Sequence, residues 1–275
     1  MKLKLPFIAA LCTLFVFGCT NLSNVLKLDH TNFTEEIVPD QNLSFTFASD
    51  LVPDSLTQKW DTLPYIKFTP EVKGKFRWNA PNELIFSPVE PFAPSTDFTA
   101  ELTTDLFKHS PQKPGLPKDR TVKFHTPYLM LGSAQFFYAL SQKNPGAVEI
   151  RANVVFNCRV KPADLKSKLH VLVNEKEVAF DVIGGDADYS VGISMADVRG
   201  ESKDNIPVKI VVDAGLTCPG STYQTKEKME FTAEVPMKEK LMITQMTSAF
   251  VDGNGRVNVF TNQPVMNEIL SSLIS

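Results

Sequence analysis

A chain of 275 residues with 28 lysine and arginine residues against 31 aspartate and glutamate residues has a net charge of −3 and no basic stripe. Nucleic acid is therefore not an expected partner, since nucleic-acid-binding proteins carry a basic patch. The 20 phenylalanines and 19 prolines, without sustained 3.6-residue periodicity, indicate an all-β chain with many turns.

The N-terminus has the composition of a secretory signal. Lys2 and Lys4 supply a positive start, and an uncharged apolar stretch follows over residues 5–17. This stretch is shorter than the roughly 20 apolar residues that span a bilayer. Export with cleavage is therefore predicted in place of a membrane span, and residues 1–18 are assigned to a lipoprotein signal peptide.

The end of the signal is similar to the bacterial lipobox. It reads Val16-Phe17-Gly18-Cys19, with a small residue before the cysteine at which the peptidase would cut. Acylation of Cys19, for example with palmitate, would hold the protein at the outer membrane or the periplasmic face of the cell envelope. Residues 19–28 would then be the anchor linker. The alternative is a plain signal peptide followed by an incidental cysteine.

Two cysteines remain for the exported part of the chain, because Cys12 lies in the signal and Cys19 at the anchor. Disulfides persist outside the cytoplasm, so Cys158 and Cys218 form a possible disulfide. Closing a loop of about 60 residues would contribute about 4 kcal/mol in the chain-entropy model. The alternative is two buried free thiols in strands.

Apolar and polar residues alternate along many short segments, which predicts half-buried β-strands. Clear examples are the segments 43–47, 76–78, 84–86, 98–102, 148–152, 169–173, 208–212 and 229–235. The order of strand, turn, second strand and proline step recurs three times. Its prolines lie about 100 to 110 residues apart, the size of an immunoglobulin-like sandwich.

These repeats predict tandem immunoglobulin-like, antiparallel β-sandwich domains over residues 29–127 and 128–236. A third sandwich would begin at residue 240 and be incomplete at residue 275. An unfinished sandwich leaves an apolar face and strand edges open. We therefore expect Ser275 to be a truncation or a stop in a broken gene. In the first repeat, the first strand is predicted over Phe33–Val38.

One stretch carries a family resemblance. Residues 64–78, PYIKFTPEVKGKFRW, resemble the "P.I.P.V.G.F.W" stretch of bacterial α2-macroglobulin-like lipoproteins. Residues 84–98 resemble the "L.F.P…L.P.T.Y" stretch that follows it, and the likeness extends over roughly 43–102. Within this macroglobulin-type sandwich, Gly74 is expected in a tight turn and Trp78 in the core.

The resemblance implies a function. Members of the family are large lipoproteins of the periplasm or cell surface that are thought to trap proteases through a bait region and, in many members, a Cys–Gln thioester. This chain would be the N-terminal scaffold of such an endopeptidase inhibitor. Its partners would be the membrane, through the lipid on Cys19, the remaining domains of the parent protein, and proteases held by regions beyond this chain. Neither Cys158 nor Cys218 precedes Glu-Gln, so the thioester is not expected here.

No residue pattern predicts a catalytic, metal or cofactor site, so the chain is not expected to be an enzyme. The four histidines (His30, His109, His125 and His170) lack metal-ligand spacing, and no nucleophile elbow or phosphate-binding loop occurs. Two other functions stay open. One is a surface adhesin or ligand-binding lipoprotein of stacked immunoglobulin-like domains, and the other is the non-catalytic N-terminus of a surface enzyme.

Overall fold

The computed structural model describes residues 25–110, 112–141, 143–144, 147–198, 204–237, 243–251, 254–261 and 265. The signal peptide and Cys19 lie outside these residues, so their assignments stay predictions. The all-β fold class is confirmed, because antiparallel sheets account for nearly all regular structure in the described ranges. No helix in those ranges has the length and hydropathy to cross a bilayer.

Two antiparallel sheets form the first sandwich. One has the strand order β1-β2-β6-β5-β3, and the other has the order β4-β7-β8. The strands are β1 Leu28–Thr31, β2 Leu43–Phe47, β3 Trp60–Asp61, β4 Ile66–Thr69, β5 Gly74–Ala80, β6 Glu83–Pro88, β7 Asp97–Leu102 and β8 Thr121–His125. Short 3₁₀ helices cover Asp54–Leu56 and Thr104–Phe107.

Aromatic rings fill the space between these two sheets. The ring centroid of Phe86 lies 4.4 Å from that of Phe68 and 4.9 Å from that of Phe76. Trp78 is 2% exposed, so its expected place in the core is confirmed. The stretch with the family resemblance therefore supplies much of this core, and its large residues act through packing.

Gly74 does not lie in a turn, contrary to the expectation from sequence. It is the first residue of β5 and pairs with Pro88 on β6. A Cβ atom at this position would lie 2.3 Å from two ring carbons of Phe86 and 2.6 Å from the carbonyl oxygen of Ser87. Glycine is required because the Phe86 ring packs directly against the backbone at this point.

The first strand of the first repeat is also displaced from its predicted position. β1 ends before Phe33–Val38 begins, and it is β1 that pairs with β2. Residues 33–38 run beside the end of β8, where Ile37 N donates to His125 O over 2.9 Å and His125 N donates to Glu35 O over 2.7 Å. Ile37 is buried, so the apolar spacing reflects burial of irregular backbone.

The second sandwich has four strands in each sheet, in the orders β13-β14-β10-β9 and β12-β11-β15-β16. The strands are β9 Leu131–Leu140, β10 Val148–Val160, β11 Leu169–Val173, β12 Lys176–Glu177, β13 Phe180–Ile183, β14 Asp188–Met195, β15 Ile206–Val212 and β16 Met229–Val235, with one short helix, α1 Pro162–Lys166. Its buried apolar cluster runs from Leu129 to Val235, whereas that of the first sandwich runs from Leu26 to Phe124.

The last two described strands, β17 Ile243–Val251 and β18 Asn254–Thr261, form a separate hairpin. The register pairs Met246 with Val259, Ser248 with Val257, and Phe250 with Gly255, so one face is largely apolar. On this face Phe250 is 79% exposed and Val257 is 62% exposed. Among the described residues, nothing covers this apolar face of the hairpin.

Candidate functional site

The segment that joins the two sandwiches is fixed to the first one by Thr126. Thr126 N donates to Thr96 O over 3.1 Å, and its hydroxyl donates to Ala93 O over 2.7 Å. The same hydroxyl accepts a bond from Thr96 N at 3.1 Å. Both threonines are fully buried, so these bonds are shielded from water.

The next residues are fixed to the second sandwich. Asn157, on β10, donates from Nδ2 to Tyr128 O over 2.7 Å and accepts from Met130 N over 2.8 Å. Between these contacts, Leu129 N donates to the hydroxyl of Ser95 over 3.0 Å. The linker is therefore hydrogen-bonded to both sandwiches along its length.

The two cysteines predicted as a possible pair are joined in a disulfide, with Cα atoms 6.3 Å apart. Cys158 lies on β10, and Cys218 lies in the irregular stretch between β15 and β16, residues 213–228, which we call the bonded loop. Each cysteine is 3% exposed. The disulfide thus attaches the bonded loop to the core of the second sandwich.

The tip of the bonded loop is a tight turn that starts at Cys218. Ser221 N donates to Cys218 O over 3.0 Å, and Gly220 has a φ of 80°. With Pro219 in the second position and glycine in the third, this geometry fits a type II β-turn. The disulfide therefore holds the first residue of the turn, and Ser221 is the last.

The bonded loop contacts the first sandwich at Ser95. The Ser221 hydroxyl and Tyr223 N, at 3.2 Å, both donate to Ser95 O. The ring of Tyr223 stacks on that of Tyr128 at 4.0 Å between centroids. We call Ser95, Tyr128, Ser221 and Tyr223 the junction.

Tyr128 is also tied to Asp97, to which its hydroxyl donates over 2.6 Å. Burial, followed by this hydrogen bond, raises the pKa of Tyr128 to about 12. His125 stacks on the other face of the ring, at 4.2 Å. A tyrosine held between two rings with a protonated, bonded hydroxyl fits a structural element and not a general base.

A charged cluster lies around His170 on the second sandwich. Its Nδ1 lies 2.7 Å from Glu177 Oε1, and its Nε2 lies 3.0 Å from Asp213 Oδ2. Lys228 Nζ lies 3.3 Å from the other oxygen of Asp213. The bonds to Glu177 and then Asp213 raise the pKa of His170, and the bonds from His170 and Lys228 lower the pKa of Asp213.

This cluster predicts a pH dependence of stability. A raised histidine pKa stabilises the fold below the ordinary value near 6.5, and the effect is lost as the pH rises through the raised value. The lowered pKa of Asp213 acts above its ordinary value near 4 and is lost as the pH falls through the lowered one. His170→Gln should therefore cost more stability at about pH 5.5 than at about pH 8.5.

Denaturant unfolding of both proteins at the two pH values checks this expectation. His30→Gln is the matched control, because His30 is an exposed histidine in the first sandwich. An equal loss for His170→Gln at both pH values would show that its imidazolium is not held by the carboxylates.

Among the described residues, no group of three or more His, Cys, Asp or Glu side chains could hold a metal ion. An open groove at one end of the second sandwich is lined by residues that include Lys143, Glu149 and Asp181. Lys143 Nζ pairs with Asp181 at 2.6 Å, and Arg151 Nε pairs with Glu149 at 2.8 Å. Lys143, Glu149 and Asp181 of this groove are thus each engaged in an ion pair.

Trp60 is an exposed aromatic residue that was not predicted from the sequence as a candidate site residue. Trp60, on edge strand β3, is 47% exposed, and the Arg77 guanidinium carbon lies 4.9 Å from its ring centroid. Lys75 and Val89 line a shallow concavity beside the indole ring. The charged residues Lys59 and Asp61 on either side of Trp60 could have indicated this exposure, since charged side chains are favoured on the edge strands of sheets.

No family model matches this sequence, and no curated protein matches it. Solved structures with some similarity include L,D-transpeptidase 3 from Mycobacterium tuberculosis, with 11% identity over 48% of this chain and 45% of that chain and a TM-score of 0.25. Another L,D-transpeptidase from M. tuberculosis H37Rv has 10% identity over 64% of this chain and 77% of that chain, with a TM-score of 0.25.

Bovine butyrophilin has 6% identity over 77% of this chain and 98% of that chain, with a TM-score of 0.30. The chain spans less than half the length of the first transpeptidase. Similarities with TM-scores of 0.25 to 0.30 do not bear on what this chain does. Its function has to be inferred from its own residues.

Proposed function

We propose that this chain is the non-catalytic N-terminal scaffold of a membrane-anchored α2-macroglobulin-like endopeptidase inhibitor. The resemblance over residues 64–98 supports the family. Within that stretch, Tyr65, Phe76, Trp78, Leu84 and Phe86 are all buried. Residues that determine packing are the ones expected to recur among related sandwiches.

The observation that carries a scaffold role is the uncovered apolar face of the β17–β18 hairpin. A two-stranded hairpin is only marginally stable alone, and an apolar face in water favours association with further polypeptide. Met246, Phe250 and Val257 are each more than half exposed on that face. A series of sandwiches in which one domain completes the next would cover it.

The proposed location is outside the cytoplasm, with a lipid anchor on Cys19. The Cys158–Cys218 disulfide supports an oxidising compartment. The membrane and further domains of the parent protein would be direct partners. Proteases would be trapped by other parts of that protein.

Native cell envelopes provide the test. They are treated with active trypsin, and the protein is captured with antibodies against the two sandwiches. Trypsin activity on a small peptide substrate should be recovered with the captured protein. Trypsin whose catalytic serine has been blocked beforehand is the control, and it should not be retained because it cannot cut a bait. If the protein captured from the trypsin-treated envelopes carries no trypsin activity, the proposal is contradicted.

A second candidate, a ligand-binding surface module, is favoured by Trp60. In the described part of the chain, neither Lys75 nor Arg77 forms an ion pair with a carboxylate. An exposed indole ring beside two such cations suits an acidic glycan, because the ring can stack on a sugar and the cations can pair with its carboxylates.

Binding to polygalacturonate tests this candidate. Trp60→Ala should abolish binding, and Tyr189→Ala should not. Tyr189 is the matched control because it is 51% exposed and has Arg159 at 5.8 Å on the second sandwich. A native protein that does not bind polygalacturonate would remove the candidate.

A further inference from the structure

We propose that the bonded loop locks the two sandwiches into one rigid unit, and that the Cys158–Cys218 disulfide keeps the loop in its locking position. This inference goes beyond the proposed function and applies equally to the ligand-binding candidate. Sandwiches joined by a linker move relative to one another by default, unless their interface is large and well packed. At the junction, rigidity can come from the way in which the two sandwiches are attached to each other.

Two bodies joined by a single strand can rotate about that strand. The linker alone would leave this freedom, even with its hydrogen bonds to Ser95 and Asn157. The bonded loop adds a second attachment beside the linker, through the bonds from Ser221 and Tyr223 to Ser95 O. A second attachment blocks the rotation that the first allows.

Hydrogen bonds close the base of the bonded loop. Gly215 N donates to Thr225 O over 2.8 Å, and Thr225 N donates to Leu216 O over 3.0 Å. The Thr225 hydroxyl accepts from Leu216 N at 2.9 Å. These bonds position the base, but the tip beyond Leu216 belongs to no strand.

The disulfide positions the tip. Cys218 begins the turn that ends at Ser221, so the covalent bond lies three residues from the contact with Ser95. Its partner, Cys158, directly follows Asn157, which holds the linker. Two consecutive residues of β10 therefore anchor both attachments to the first sandwich.

The conformation of Ser95 indicates that specific contacts hold the junction together. It is fully buried and has a φ of 49°, in the left-handed region that disfavours residues with a side chain. Such a conformation persists when the surroundings compensate for its cost. Here the compensation is three bonds, from Leu129 N to the hydroxyl and from Ser221 and Tyr223 to the carbonyl oxygen.

The test is the distribution of distances between two spin labels, one on each sandwich. The labels are placed at the exposed positions Lys67 and Lys176. They are attached through residues other than cysteine, so the disulfide stays intact. The native protein should give one narrow distribution. Cys158→Ala with Cys218→Ala should broaden it about twofold, because the tip of the loop is released. Ser221→Ala with Tyr223→Ala should do the same, because it removes the Ser221 hydroxyl bond and the stacking of Tyr223 on Tyr128 and leaves only the backbone bond from Tyr223 N to Ser95 O.

Ser167→Ala with Tyr189→Ala is the matched control, since it removes the same two residue types from exposed positions and should leave the native width. If near-ultraviolet circular dichroism shows that the cysteine variant is unfolded, the variant at Ser221 and Tyr223 tests the proposal instead, because its disulfide is intact. A native distribution as broad as that of this variant would overturn the proposal.

Discussion

Replacing both Cys158 and Cys218 with alanine is expected to lower the free energy of unfolding of the second sandwich by about 4 kcal/mol. The disulfide spans 60 residues of sequence, so its loss frees a long segment in the unfolded chain. The folded state also loses the covalent bond that holds the tip of the bonded loop, which lies outside both sheets. Denaturant unfolding followed by far-ultraviolet circular dichroism measures the change.

The two tryptophans, Trp60 and Trp78, make this experiment selective, because both lie in the first sandwich. Their fluorescence should shift less than the circular dichroism signal in the cysteine variant. An unchanged circular dichroism midpoint would contradict the stabilising role of the disulfide.

Replacing Gly74 with alanine should destabilise the first sandwich by about 3 kcal/mol, through overpacking. The new methyl group would overlap the Phe86 ring at 2.3 Å and the Ser87 carbonyl oxygen at 2.6 Å. That oxygen belongs to β6, which is paired with β5 at this point, so relief requires the two strands to separate. Tryptophan fluorescence during denaturant unfolding reports the loss directly.

Gly132→Ala is the control for this change. Gly132 also lies in a strand, but the nearest atom to its added Cβ is Val155 O at 3.4 Å. Its unfolding midpoint is followed by far-ultraviolet circular dichroism, because both tryptophans lie in the first sandwich and Gly132 lies in the second, and it should stay close to that of the native protein. A shift for Gly74→Ala no larger than that for Gly132→Ala would mean that the Phe86 ring can move aside without cost.

The strands of both sandwiches could largely be predicted because each buries one face. Alternation marks that face within a few residues, as in Leu43–Phe47 and Leu169–Val173, and no distant information is required. Phe33–Val38 was mispredicted because buried apolar residues of irregular backbone produce a similar spacing. The role of Gly74 could not be read locally, since it depends on a ring twelve positions along the chain.

The contacts of the junction could not be predicted from the sequence alone. Ser221 and Ser95 are 126 positions apart, and neither lies in a periodic segment. Pro219-Gly220 is a dipeptide typical of turns, but the sequence does not show what such a turn contacts. For the cysteines, the sequence left a disulfide and free thiols open, and geometry separates them because the two Cα atoms lie 6.3 Å apart.

We propose that this chain acts as scaffold and that proteases are captured by other parts of the parent protein. The most direct measurement is trypsin activity in the presence of an excess of the purified chain from Thr20 onward, followed by a denaturing gel. We expect an unchanged rate of substrate hydrolysis and no covalent adduct. Inhibition by the chain alone, or a band that contains both the chain and trypsin, would place the capturing chemistry within these residues and contradict the scaffold account.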